Sequence, residues 1–206
     1  MRALIIGASS DRSIGYHIGE HRKSLGDDVA YASRSGALGY KCDVTDIGAL
    51  QRLFERERPQ VVVLAVGTAL QNPSINSFDD WQRQCDDIMA RSIGAHATLI
   101  AAWIIGTVTH FVALGGRAKF DDPNLETYTI SNGALWGAVQ HANAHGQVKT
   151  VYVDMPFVRG SANAETLARA GLHTGPELAH AIPVEKVVRA VDDIFADRIK
   201  PGRVML

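Results

Sequence analysis

Short apolar runs alternate with longer amphipathic stretches along the whole chain. Leu4–Ile6, Val29–Ala32, Val61–Ala65, Phe111–Leu114 and Thr150–Val153 are unbroken or nearly unbroken runs of aliphatic and β-branched residues, and Val204–Leu206 reads as a last, short one. A strand that is apolar on both faces of its pleat must be covered on both sides, which is the condition of a parallel sheet between layers of helices. The intervening segments carry helical patterns. Ile47, Leu50, Leu53 and Phe54 fall on one face, and Pro59 stops that helix before the next strand. Ser77 ahead of Asp79, Asp80 and Trp81 reads as an N-cap with acids in the first turn. Ile88–Ile105 is predicted as a long apolar helix, a further helix runs from about Tyr128 to His145, and Pro183 opens one through Val187, Val188, Val191 and Ile194. Parallel strands need crossover helices, so the alternation predicts an α/β chain with a doubly wound parallel sheet and helices on both faces. No repeat or Pro/Ser-rich linker divides it, and residues 1–206 are read as one domain.

Composition narrows the function. With 206 residues, 46% of them hydrophobic, one sizeable core is expected. The formal net charge of -1 and the lack of a basic block speak against nucleic acid as a partner. The first apolar run, Ala3–Ile6, is cut by Gly7 and is too short for a signal peptide or a membrane span, so a cytoplasmic protein without membrane contact is expected. Cys42 and Cys85 lack metal spacing and read as reduced thiols. His141 and His145 stand one helical turn apart, a spacing that can bind zinc, but no third ligand accompanies them and no metal is expected. Trp81, Trp103 and Trp136 read as packing residues.

The informative turn lies directly after the first strand, at Gly7-Ala8-Ser9-Ser10-Asp11-Arg12-Ser13-Ile14-Gly15, and leads into a helix with Ile14, Ile18 and His21 along one side. Gly7 lets the chain turn sharply off the strand. Gly15 has no side chain to hold a phosphate or the neighbouring strand away, and the N–H groups at the helix start face the anion. A glycine turn in this strand-to-helix context is the mark of a dinucleotide site; a purely structural turn is the alternative.

These residues resemble the short-chain dehydrogenase/reductase family, and the resemblance runs through nearly the whole chain. The distance from Gly7 to Ser13 and Gly15 exceeds the family's main glycine pattern and looks like the divergent branch that includes the enoyl-acyl-carrier-protein reductases, where Ser13-Ile14-Gly15-Tyr16 is similar to a Ser-Ile-Ala stretch. The resemblance implies a Rossmann-type sheet and a nicotinamide cofactor. The second strand ends in Tyr31-Ala32-Ser33-Arg34-Ser35, with no acid to bind the ribose hydroxyls of NAD. Arg34 is suited to a 2′-phosphate, Ser33 and Ser35 offer hydroxyls, and Arg12 is a second cation, so NADP(H) is expected ahead of NAD(H); surface arginines are the alternative. Cys42-Asp43-Val44-Thr45 resembles the family's Asp-Val step, which implies adenine contacts at Asp43 and Val44. Capping of the next helix by Asp43 or Thr45 is compatible with that. Gly67 fits the family's fourth-strand turn, although its asparagines are absent. Met155-Pro156-Phe157-Val158 resembles the turn beside the nicotinamide, with Pro156 and Val158 near the cofactor, and Arg159–Ala181 would form a substrate lid.

The catalytic pattern is incomplete. The family uses a Ser on strand five, a Tyr at the next helix start and a Lys four residues on; here Tyr128 matches, Asn132 stands at the Lys position, and Leu114-Gly115-Gly116 lacks the Ser. Arg91 stands about where the family has an Asn. A phenol without a neighbouring ammonium stays near a pKa of about 10, so Tyr128 could donate a proton to a carbonyl but would be a poor base for alcohol oxidation. Asn132 can hydrogen-bond the ribose without supplying charge. The expectation is therefore an atypical NADPH-dependent reductase of a small carbonyl or activated double bond. The alternative is an impaired NADP(H)-binding sensor or partner protein. The apolar breadth of Ile88–Ile105 and of Ala134–Val139 exceeds what one sheet face needs; in the family these two helices mediate self-association, which implies a homodimer or homotetramer.

Overall fold

The computed structural model describes residues 1–66, 77–116, 126–146, 148–161 and 180–206. Its elements, in chain order, are β1 (Arg2–Ile6), α1 (Ile14–Ser24), β2 (Asp28–Ser33), β3 (Tyr40–Lys41), α2 (Ile47–Glu57), β4 (Val61–Leu64), α3 (Phe78–Ile105), β5 (His110–Gly116), α4 (Glu126–His145), β6 (Lys149–Met155), β7 (Val158–Arg159), β8 (Ile182–Pro183), α5 (Val184–Phe195) and β9 (Gly202–Met205). Seven strands form one sheet in the order β3-β2-β1-β4-β5-β6-β9, parallel throughout. This is the doubly wound α/β arrangement that the two-faced apolar runs predict. Ile5 and Val63 are fully buried on one face of the sheet, Leu4 and Val62 on the other.

The two faces are covered by different helices. Ile18 of α1 and Val187, Val191 and Ile194 of α5 pack on one side, while Leu50, Leu53 and Phe54 of α2, Leu99 and Ala102 of α3, and Leu135 and Val139 of α4 pack on the other. A side chain such as Phe54, about 1% exposed, contributes roughly 1.5–3 kcal/mol by leaving water. The chain winds outward from β1 through β2 to β3, then returns to place β4 on the other flank of β1. Such a reversal opens a crevice beyond the carboxyl ends of the strands, where ligands of open α/β sheets bind.

Local departures from the sequence expectations have physical reasons. The helix expected from Ile88 begins at Phe78 and runs unbroken to Ile105. The polar stretch Gln82–Asp87 has no glycine or proline to stop it, and the first turn closes with Trp81 N–H donating to the Ser77 carbonyl at 3.2 Å. Trp81 is 52% exposed and does not pack in the core, whereas Trp103 and Trp136 do. The cap of α2 is neither Asp43 nor Thr45 but Asp46, whose carboxylate accepts from Ala49 N–H at 2.9 Å. Pro183 occupies the N-cap of α5 and ends β8, one position before the helix proper. Among the described residues no helix is long and apolar enough to cross a membrane.

Candidate functional site

A cleft open to solvent lies at the carboxyl ends of β1, β4, β5 and β6. Gly7, Ser9, Ser13 and Ile14 form one rim, Gly115, Gly116, Ser131 and Asn132 the opposite one, with Ala65, Met155 and Ser161 between them. The sheet reversal thus brings the glycine turn and the Asn132 region, far apart in sequence, to one opening.

The first rim is shaped by close backbone approach. Gly7 has φ +106°, and a Cβ there would come within 2.5 Å of the Ala65 carbonyl group. No L side chain fits that position. A Cβ on buried Gly15 would press on Ile5 Cγ2 at 3.0 Å, so Gly15 lets α1 settle onto β1 and lies behind the cleft wall. Ser13 is the N-cap of α1: its oxygen accepts from Tyr16 N–H at 3.3 Å while its hydroxyl donates to the Ser10 carbonyl at 2.7 Å. That cap leaves the start of α1 at the cleft rim, the position that suits an anion.

The expected adenosine-side residues lie beside the cleft, outside its lining. Arg34 is exposed at the end of β2, close enough to Asp43 to favour its charged form. The Asp43 carboxylate accepts from Thr45 N–H at 3.0 Å and from the Thr45 hydroxyl at 2.8 Å, and these bonds hold its pKa below the ordinary carboxylate value. Val44 is buried, and α3 makes room for it at Gly94, where a Cβ would overlap its side chain. Ser33 is buried, and its oxygen accepts from Gly36 N–H at 3.1 Å, holding the turn after β2. Ser33 and Ser35 hydroxyl oxygens lie 3.2 Å apart. Arg12 is exposed within the glycine turn.

The second rim is built differently. Asn132, only 8% exposed, accepts through Oδ1 from Gly116 N–H at 3.0 Å. The Tyr152 hydroxyl, rising from β6, stands 3.2 Å from the Gly116 carbonyl oxygen and 3.4 Å from the same Asn132 Oδ1. A Cβ on Gly115 would overlap the Tyr152 ring and hydroxyl. The serine expected from the family pattern has no room here, because a phenol fills its place. Next on the same face of β6, Asp154 is fully buried and paired with Arg203 of β9, whose guanidinium is held more firmly protonated by that carboxylate.

Tyr128 falls in the first turn of α4, with its side chain outside the described residues, as is the side chain of Arg91. Gly67 and residues 162–179 of the expected lid also lie outside them. The stems of that segment are described: Val158–Arg159 pairs in parallel with Ile182–Pro183, and Arg159 Nε donates to the Ala181 carbonyl at 3.0 Å. Val158 is thereby buried at the base of the segment, and Met155, rather than Pro156, lines the cleft. His141 and His145 are exposed with ring centroids 4.8 Å apart, and no cluster of three or more metal-ligating side chains occurs among the described residues.

Sequence reading missed Ser131 and Ser161 as lining residues, and it missed Tyr152. Only Tyr152 leaves a signal, as a hydroxyl-bearing aromatic between two valines of β6; the register sets it beside Ala113, and its ring reaches along β5 to Gly115.

No family model matches the sequence, and no curated protein is significantly similar to it. Solved structures are similar throughout. The protein lin1944 from Listeria innocua aligns over 100% of this chain and 99% of its own, with a TM-score of 0.77 and 17% identity. UDP-glucose 4-epimerase from Thermotoga maritima, solved with UDP-glucose, covers 100% of this chain and 76% of its own at a TM-score of 0.72 and 16% identity. A dTDP-4-dehydrorhamnose reductase from Bacillus anthracis, solved with NADP, covers 100% and 74% at a TM-score of 0.66 and 16% identity. At these identities the likeness establishes the fold, a Rossmann-type doubly wound parallel sheet.

Proposed function

We propose that the chain is an atypical reductase of the short-chain dehydrogenase/reductase type that binds NADP(H) in preference to NAD(H) and reduces a small carbonyl or activated double bond. The observation that carries this reading is the single cleft joining the glycine turn to Asn132. Its donor set fits a dinucleotide: a capped helix start and small side chains at Gly7, Ser9, Ser13 and Ile14, with Gly15 keeping the helix close to the sheet. Arg34, with Arg12 as a second cation, would hold the 2′-phosphate, and Asp43 and Val44 the adenine. Gly67, Pro156 and Val158 would shape the nicotinamide end. A bound nicotinamide would supply hydride; the chain's part would be to orient the substrate and deliver a proton from the Tyr128 hydroxyl, with Asn132 as a neutral hydrogen-bonding group. Neighbours of this fold solved with NADP or NAD support the cofactor class. Free Cys42 and Cys85 suit a cytoplasmic setting.

The test is cofactor titration of the wild type and Arg34→Ala, followed by NADPH consumption on a panel of carbonyl compounds with Tyr128→Phe alongside. A charge-assisted bond worth about 1.5–3 kcal/mol predicts that Arg34→Ala weakens NADPH on the order of tenfold or more while NADH changes little. Equal loss for both cofactors would refute the assignment. A second reading, an NADP(H)-binding sensor or partner protein without catalysis, is favoured by the Tyr152 phenol in the serine's place. Tight NADPH binding with no turnover on any substrate would select it.

Self-association as a homodimer or homotetramer belongs to the same proposal. Ile93 and Ile104 of α3 are 45% and 80% exposed and offer apolar surface for it. Light scattering should give a multiple of 22.3 kDa, and a monomer at micromolar concentration would exclude it.

A further inference from the structure

We propose that His141 and His145, at the end of α4, form an open two-imidazole site for a borderline divalent metal ion, Zn²⁺ or Ni²⁺ rather than Mg²⁺ or Ca²⁺. Neither residue lines the cleft, and the site is independent of the dinucleotide reading. Both side chains are exposed, and their ring centroids stand 4.8 Å apart with planes tilted by 50°. Side chains four residues apart on a helix start about 5–6 Å from each other at Cβ, so these two rings lean together and do not splay. A Zn–N bond of about 2.0–2.1 Å sets a ring centroid about 3.2 Å from the ion, so the observed separation subtends roughly 95–100° there, close to tetrahedral and octahedral angles. Two nitrogen donors favour borderline cations, whereas Mg²⁺ and Ca²⁺ take oxygen. The lack of a third ligating side chain among the described residues argues against a closed structural site and leaves the remaining positions to water.

Two features of the fold prepare the pair. The Trp103 ring of α3 lies 6.5 Å from that of His141 and is itself seated against Gly146, where a Cβ would come within 2.8 Å of the indole. His141 is thus backed by a held ring, which lowers the ordering cost of binding. His145 is the last residue of α4, and the last turn contains no lysine or arginine. The negative end of the helix dipole lies there, and it favours a cation that no neighbouring ammonium in the turn repels.

The test is isothermal titration calorimetry of the whole chain with ZnCl2, comparing wild type with His141→Ala and His145→Ala. One Zn²⁺ per chain is expected for wild type. Each variant should bind about a hundredfold more weakly, because the second imidazole acts at high effective concentration once the first is engaged. Zn²⁺ should raise the melting temperature of wild type and leave those of both variants unchanged. MgCl2 at the same concentration should do neither, and an equal response to it overturns the choice of ion. His17, His21, His96, His110, His173 and His180 remain in both variants, so affinity that survives both substitutions puts the ion elsewhere and overturns the proposal. Loss in one variant alone means a single-imidazole contact and overturns the chelate. Should either variant not fold, Cu²⁺ decides on wild type: bound near the Trp103 indole, it should quench tryptophan emission reversibly with EDTA, and unchanged emission overturns the proposal.

Discussion

Each rim of the cleft depends on a glycine, and the two glycines answer to different neighbours. On the β1 side, Gly7 clears the way for backbone: the end of β4 passes so close that a Cβ would strike the Ala65 carbonyl at 2.5 Å. On the β5 side, Gly115 clears the way for a side chain of the chain itself, the phenol of Tyr152. The first kind of glycine leaves the rim as bare main chain that an anion can approach. The second fills the vacated volume from within and converts it into a hydrogen-bonded joint through Asn132 and Gly116. The same residue type thus opens one half of the site and closes the other, and only the surrounding strands decide which.

The comparison can be broken most directly at Gly7. Gly7→Val combines a positive φ with backbone overlap, and a loss of about 3 kcal/mol or more is expected in urea unfolding; a variant of wild-type stability would mean that β4 yields at this contact. At the opposite rim Gly115→Ser should cost about 1–3 kcal/mol by overpacking against Tyr152. Tyr152→Val should make the serine better tolerated, giving a double variant less destabilised than the sum of the single ones. Strict additivity would show that Gly115 and Tyr152 do not share one volume. No such rescue is expected at Gly7, where the obstacle is main chain.

The smallest effect concerns acid. Asp43 is held below the usual carboxylate pKa by the backbone N–H and hydroxyl of Thr45. A depressed folded pKa contributes stability that is present above the unfolded value of about 3.9 and lost as pH falls through the folded one. Asp43→Asn should therefore lower the melting temperature slightly at neutral pH, and the difference from wild type should shrink below pH of about 4. A difference that grows on acidification would reverse the sign of this assignment.

The sheet was legible because its strands are short-range signals: Leu4–Ile6 and Val61–Ala65 need no partner to be recognised as buried on both faces. The glycine turn was legible for the same reason, being contiguous. What could not be read depends on registers between distant segments. β3 holds only Tyr40 and Lys41, too little for any periodicity. Asp43, Thr45 and Asp46 are all chemically able to cap α2, and only the turn geometry selects Asp46. Tyr152 looks like one more strand residue until β6 is laid beside β5, because the glycine that accommodates it lies 37 positions earlier in the chain.

The ends of the sheet bear on solubility. A strand with one side unpaired is a template for another chain, and proteins guard such edges with short or charged strands. Here the edges are β3, two residues long and carrying exposed Lys41, and β9, four residues long with Arg203 drawn onto Asp154. The most apolar strands, β1, β4 and β5, are all interior. Growth of the sheet by addition of further copies has little to start from, and the segments most prone to amyloid-like stacking are exposed only when the molecule unfolds.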